Sequence, residues 1–192
     1  MKSRYCLCVV GWHFFEGFYD QIRQLSCDQY IVSHRDHGFL SQQRLFEAIH
    51  KDVLFLPNRG RDWGAYHQFN EAIGVRDYDF VIYCHDDLII KDLSFFETVA
   101  RMFQNPDIKV VSIRGKRKTD FRFGRYRERM AFDDDDGFVV RTIAGSVFAA
   151  STDVFSTIGD LPDCWAAKTR KEGRASSRSF SYLVTKEFGI DR

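Results

Sequence analysis

The sequence predicts an α/β fold in which a mostly parallel central sheet carries helices on both faces. Short apolar, β-branched runs alternate with stretches whose apolar residues recur at three- and four-residue steps, the strand–helix alternation that builds such a sheet. The runs are apolar at successive positions instead of at every second one, as expected of strands covered on both sides. With 192 residues, 44% hydrophobic and 16% aromatic, the chain can fill one core, and a single domain over 1–192 is expected.

Residues 5–10, YCLCVV, form the first expected strand, stopped by Gly11. Residues 30–33 form the second, stopped by the polar turn His34-Arg35-Asp36-His37-Gly38. Between them Phe14, Phe18, Ile22 and Leu25 mark one apolar face of a helix. A helix is expected over 41–50, a third strand over 53–56 and a helix over 63–73, before the strongly apolar strand 80–84. Residues 92–104 read as a helix with Asp92 or Ser94 near its N-cap and Pro106 beyond its end, and 109–113 as a further strand. From 114 to 129 the periodicity dissolves into a basic, aromatic stretch read as a loop or flap, and Asp133 to Asp136 read as a solvated turn. Strands return at 138–142 and 146–150, then a helix over 154–158, capped by Thr152-Asp153 and stopped at Gly159. A connection rich in Gly, Ser and Lys/Arg, 168–179, leads to a last amphipathic stretch, 180–188.

Lys+Arg 28 against Asp+Glu 27 leaves a formal net charge of +1, which excludes the broad basic field of a dedicated nucleic-acid binder. Any anion site is therefore local. No apolar run reaches the roughly 18 residues of a transmembrane helix, so no transmembrane segment is expected. The basic start MKSR leads into a run too short, and without a cleavage site, for a signal peptide. Cys6, Cys8, Cys27, Cys84 and Cys164 contain no CxxC pair and lie mostly in apolar stretches. That is the pattern of reduced, buried thiols, and a cytoplasmic protein is expected.

Chemistry concentrates at two strand ends. Asp86 and Asp87 follow the strand 80–84 and His85 directly, and open α/β sheets bind ligands beyond the carboxyl ends of their strands. Adjacent carboxylates repel each other unless a cation, or the donors of a ligand, lie between them. Mg2+ or Mn2+ is the natural partner, because hard divalent ions take few carboxylates and complete their shell with water and phosphate oxygens. His85 is a candidate third ligand, beside a packing role; for the acidic pair the alternative is a loop that caps the next helix. One strand earlier, Asn58-Arg59-Gly60-Arg61-Asp62 joins strand to helix. Gly60 and Gly64 permit a tight turn and close backbone approach, the arginines can meet diphosphate charge, and the helix N-terminus adds a partial positive field.

These residues resemble a known family. Asn58-x-Gly60 with Ala65 and Asn70, the strand 79–84 and Asp86-Asp87 are similar to the nucleotide-sugar half of family 2 glycosyltransferases of GT-A fold. Ile143-Ala144-Gly145-Ser146-Val147-Phe148, with 153–159, resembles their acceptor-side strand and the helix after it. The Asn-Arg-Gly-Arg-Asp run is also similar to the rhamnan-synthesis F group of polysaccharide glycosyltransferases. The resemblance covers about 5–159 and implies a GT-A, Rossmann-like sheet, with a nucleotide-sugar half over about 1–113 and an acceptor-side half over about 114–192. A piece of a longer protein is a further expectation. The implied activity is metal-dependent transfer of a sugar, with inversion, from a nucleoside diphosphate sugar to a glycan hydroxyl; a UDP- or dTDP-sugar is the expected donor. By the same resemblance Asp87 is the metal-holding last Asp of a DxD motif, Asp86 contacts ribose or shares the metal, and His85 takes the motif's first position. Gly11-Trp12-His13 and the segment His34-Arg35-Asp36 match the nucleobase and ribose side, with Asp36 as base-edge acceptor and Trp12 available to stack, beside a buried packing role.

The chain departs from the family where the proton must go. An inverting transferase needs a carboxylate to take the acceptor's proton, and the family's Glu-Asp pair falls near 176–179, where this chain carries no acid. Asp163, beside Pro162, is the first expected base, then Asp160, then Glu172. A nucleotide-sugar binding domain with impaired or no catalysis is the alternative. The basic stretch 116–129 is expected as a flap over the diphosphate or an acceptor surface, against a plain solvated loop.

Overall fold

The computed structural model describes residues 4–35, 53–112, 118–121, 138–141, 143, 145–158 and 170–189. In chain order the elements are β1 (Tyr5–Val10), α1 (Glu16–Ile22), β2 (Asp28–Ser33), β3 (Val53–Phe55), α2 (Arg61–Ile73), a 3-10 turn (Val75–Asp77) and β4 (Phe80–His85). There follow α3 (Ser94–Met102), β5 (Val110–Ser112), β6 (Lys118–Phe121), β7 (Phe138–Arg141), β8 (Val147–Ser151), α4 (Thr152–Ile158) and α5 (Arg170–Phe188). A six-stranded sheet runs in the order β3-β2-β1-β4-β8-β5. β1 pairs in parallel with both β2 and β4, and β2 in parallel with β3. β8 lies antiparallel between β4 and β5. The expected mostly parallel α/β sheet is therefore present, with one reversed strand.

β1 shows why its sequence is apolar without alternation. Leu7 and Val9 pack with Phe18, Tyr19 and Ile22 of α1 and Phe96 and Val99 of α3. Cys6, Cys8 and Val10 face the other way, toward Trp63, Tyr66 and Phe69 of α2, Val154 of α4, and Phe180 and Val184 of α5. Helices thus cover both faces, and each strand residue is removed from water whichever way it points. Cys6, Cys8 and Cys84 are buried free thiols whose pKa burial pushes up. Cys164 lies outside the described residues.

Two expectations are corrected. Part of the stretch read as a loop, Lys118–Phe121, is a strand, paired antiparallel with β7 in a separate two-stranded sheet. Its sequence, KTDF, has no apolar period, and the pairing comes from the partner strand. The connection read over 168–179 is largely helix, because α5 begins at Arg170. Ser176, Ser179 and Ser181 are buried, and Ile143 docks between two hydroxyls: its N–H donates to Ser181 Oγ at 2.8 Å and its carbonyl accepts from Ser177 Oγ. Serines that resemble turn formers in the sequence are the docking face of this helix. The expected helix over 41–50 and the stop at Gly159 lie outside the described residues.

Candidate functional site

The chain passes from β1 outward to β2 and β3, then returns to place β4 on the other side of β1. The carboxyl ends of β1 and β4 therefore flank a topological switch point, where the loops diverge and leave a crevice. Three segments meet there: the loop after β1 (Gly11, Trp12, His13, Phe14), the turn into α2 (Asn58 to Asp62), and His85-Asp86-Asp87 at the end of β4.

The loop after β1 is fastened to Asp86. That side chain is fully buried, and its Oδ2 accepts the backbone N–H groups of Trp12 (3.0 Å), His13 (2.9 Å) and Phe14 (2.5 Å) and the Tyr19 hydroxyl (3.3 Å). Oδ1 accepts His13 N–H at 3.2 Å. Burial, then the Asp86 charge, push the Tyr19 pKa far up, so its hydroxyl remains a donor. Asp86, expected at ribose or metal, thus lies beneath the loop with both oxygens engaged. Trp12 stays 42% exposed, and Arg35 covers one face of its ring at 4.4 Å while its Nε donates to the Trp12 carbonyl at 2.9 Å.

The turn into α2 is tight for identifiable reasons. Gly60 has φ 76° and Arg61 φ 59°, two successive left-handed residues. A Cβ at Gly64 would lie 1.6 Å from the Arg59 carbonyl oxygen, so only glycine lets the turn fold back on the helix. Arg59 and Arg61 are exposed, and among the described residues neither guanidinium has a hydrogen-bond or ion-pair partner. Asn58 hydrogen-bonds His34, whose ring also lies 3.2 Å from Gln68 Nε2; burial lowers the His34 pKa against the opposing pull of Asn58 and Asp62.

Across from this turn, His85 stands between two carboxylates. Its Nε2 is 3.5 Å from Asp62 Oδ2 and its Nδ1 is 3.9 Å from Asp87 Oδ1. Nε2 is buried without a hydrogen-bond partner, while the Asp87 side chain is 47% exposed. Among the described residues no group of three or more His, Cys, Asp or Glu side chains could hold a metal ion. These side chains do not fit a closed, all-protein metal centre. The half-exposed Asp87 fits an ion that takes one carboxylate and draws its remaining oxygens from water and phosphate, as Mg2+ and Mn2+ do.

Gly11, Trp12, His34, Asn58, Arg59, Gly60, Arg61, Asp62, His85, Asp86 and Asp87 are all placed at this end of the sheet: His85 closes β4, Arg61 and Asp62 open α2, and the others lie on the segments after β1, β2, β3 and β4. Asp36, Asp160 and Asp163 lie outside the described residues; Glu172 is in α5. Sequence reasoning gave no role to Tyr19 or to Tyr66, whose hydroxyl donates to the Gly145 carbonyl at 2.6 Å and ties α2 to the start of β8. Arg35 carried a signal: it lies within the segment 34–36 that the resemblance places at the nucleobase and ribose side. Tyr19 carried none, because a tyrosine on a buried helix face reads as core.

No protein-family model matches the chain, and no curated protein matches it in sequence. Solved structures match it in fold. A mannosyltransferase from Pyrobaculum calidifontis in complex with GDP-Man and Mn2+ superposes with TM-score 0.57 at 14% identity, over 97% of this chain and 53% of that one. The chain thus spans about half the length of that enzyme. A CMP:2-keto-3-deoxy-manno-octonic acid synthetase complexed with CTP gives TM-score 0.52 at 10% identity, over 96% of this chain and 86% of that one. The 4-diphosphocytidyl-2C-methyl-D-erythritol synthase from Anaerococcus prevotii gives 0.50 at 10% identity, over 99% and 84%. At such identities the likeness establishes the fold alone, one that the mannosyltransferase and the two synthases share with this chain. Among the described residues no helix is long and apolar enough to cross a membrane.

Proposed function

We propose that this chain is a metal-dependent, inverting glycosyltransferase domain that moves a sugar from a nucleoside diphosphate sugar to a glycan hydroxyl. The reading is carried by Asp87, a half-exposed carboxylate at the switch point, with the exposed Arg59 and Arg61 on the turn into α2. The mannosyltransferase of the same fold, in complex with GDP-Man and Mn2+, supports the donor class. The Asn-Arg-Gly-Arg-Asp run favours polysaccharide synthesis as the setting and a UDP- or dTDP-sugar as donor.

In this reading Asp87 holds Mn2+ or Mg2+, which when bound neutralises charge that develops on the departing diphosphate. Arg59 and Arg61 meet the same phosphates from the opposite turn. The acceptor oxygen forms its bond to the anomeric carbon as the bond to diphosphate breaks, and the electron pair leaves with the diphosphate. The acceptor's proton passes to a carboxylate, for which Asp163 is the first proposal, Asp160 the second and Glu172 the third.

Calorimetric titration of UDP, dTDP and GDP, with and without Mn2+, tests the reading. Tighter binding with Mn2+ is expected, and Asp87→Asn should remove most of that gain, on the order of 10- to 100-fold. Equal affinity in a chelator would exclude the metal role. A second reading, a binding domain without catalysis, is favoured by the acid-free 176–179 segment, whose buried Ser176 and Ser179 lie within α5. Tight donor binding with no transfer to any glycan, and no donor hydrolysis, would select it.

A further inference from the structure

Resting on the nucleotide-binding reading above, we infer that Asp86 is a positioning residue: its carboxylate holds the loop after β1 in a ring-binding shape and leaves the cation to Asp87 alone. The sequence presents Asp86-Asp87 as one acidic pair. The structure separates them. Asp86 is wholly buried on the α1 side of the sheet, whereas Asp87 is half-exposed beside His85.

Among the described residues Asp86 has no ion pair. A buried carboxylate of this kind persists where oriented N–H dipoles replace its water, and here three successive backbone amides and one hydroxyl do so. Charge-assisted bonds are the strong ones, and the conformation they hold needs support. Phe14 sits at φ 55°, unusual for an aromatic residue, and its ring presses so close to Gly11 that a Cβ there would be 2.7 Å away. Without the carboxylate, three inward-facing N–H groups would lose their acceptor and the loop its reason to curl.

That curl has a product. Of the loop's aromatic side chains, Phe14 goes into the core and the exposed Phe15 stacks on His13 at 5.2 Å, while Trp12 remains 42% exposed on the segment that leaves β1 at the switch point. Arg35 backs its ring at 4.4 Å and grips its carbonyl, so the indole is braced from behind. A braced aromatic face at a switch point suits a flat ring, and in a nucleoside diphosphate that ring is the base. Asp86 acts on the base through Trp12, and Asp87 acts on the diphosphate through the cation.

Two variants of the full chain separate these duties. Asp86→Asn and Asp87→Asn are compared with the parent by titration of uridine, thymidine and guanosine and their diphosphates, with and without Mn2+, and by hydrogen exchange at the amides of Trp12, His13 and Phe14. Asp86→Asn should weaken nucleoside and diphosphate by one common factor, on the order of 10- to 100-fold, with the ratio of affinities with and without Mn2+ unchanged and the three amides deprotected. Asp87→Asn should erase the Mn2+ ratio while nucleoside affinity and amide protection persist. Should Asp86→Asn fold poorly, Tyr19→Phe removes one donor to the same oxygen, and a smaller loss of nucleoside affinity at constant Mn2+ ratio is expected. Loss of the Mn2+ ratio in Asp86→Asn or Tyr19→Phe, or unchanged amide protection in Asp86→Asn, overturns the inference. A parent that binds no nucleoside or diphosphate overturns instead the function proposed above, and the exchange arm still decides whether Asp86 holds the loop.

Discussion

At the scale of single residues, the turn into α2 trades stability for shape. Arg61 holds φ 59°, which costs an ordinary L-residue roughly 1–2 kcal/mol relative to a right-handed conformation. Glycine adopts that conformation freely but loses more freedom on folding, about 0.5–1 kcal/mol. Arg61→Gly should therefore stabilise the chain by up to about 1 kcal/mol, read from urea unfolding, while it weakens nucleoside diphosphate binding through loss of the guanidinium. A destabilised variant would mean that the arginine side chain supports the fold; unchanged diphosphate affinity would remove Arg61 from the site. Gly64 has the opposite sensitivity. A Cβ there would run into the Arg59 carbonyl, so any side chain must push the turn apart.

At the scale of elements, helix α5 holds Ile143 through hydroxyls, beside the apolar face that Phe180 and Val184 give to the core. The Ile143 N–H donates to Ser181 Oγ, and Ser181 Oγ itself donates to the Ser177 carbonyl at 2.7 Å. Ser181→Ala leaves a buried amide without its acceptor, a loss of about 1–3 kcal/mol in unfolding free energy; a variant as stable as the parent in urea would show that Ile143 finds another partner. This helix also marks where the sequence ceased to be legible. Strands β1, β2 and β4 were readable because burial on both faces leaves an unbroken apolar run, and α2 because Trp63, Tyr66, Phe69 and Ile73 keep helical spacing. The first part of α5 was not, because serine and glycine have low helix propensity and their tertiary partner, Ile143, is distant in sequence. The site was readable to the same extent. Strand-end position brought His85, Asp86 and Asp87 to notice, but only the fold reveals that one carboxylate turns inward to Trp12, His13 and Phe14, since those contacts join residues 72 to 74 positions apart.

At the scale of the whole molecule, one strand is shared by both layers of core. β1 sends Leu7 and Val9 to the α1 and α3 layer and Cys6, Cys8 and Val10 to the α2, α4 and α5 layer, so neither layer can lose its packing without exposing the strand that completes the other. Both loops of the candidate site, after β1 and after β4, hang from this strand or its neighbour. Leu7→Ala, at a fully buried position, should cost about 2–5 kcal/mol. The loss should fall on both layers at once. A tryptophan reporter tests this, because Trp63 lies in the layer that Leu7 does not touch. In a chain that carries Trp12→Phe and Trp165→Phe, Trp63 fluorescence and far-ultraviolet circular dichroism should give one coincident urea transition, shifted to lower urea by Leu7→Ala. If Trp63 keeps its original midpoint while the circular dichroism shifts, the two layers unfold independently, and β1 is not the common beam on which both halves of the site depend.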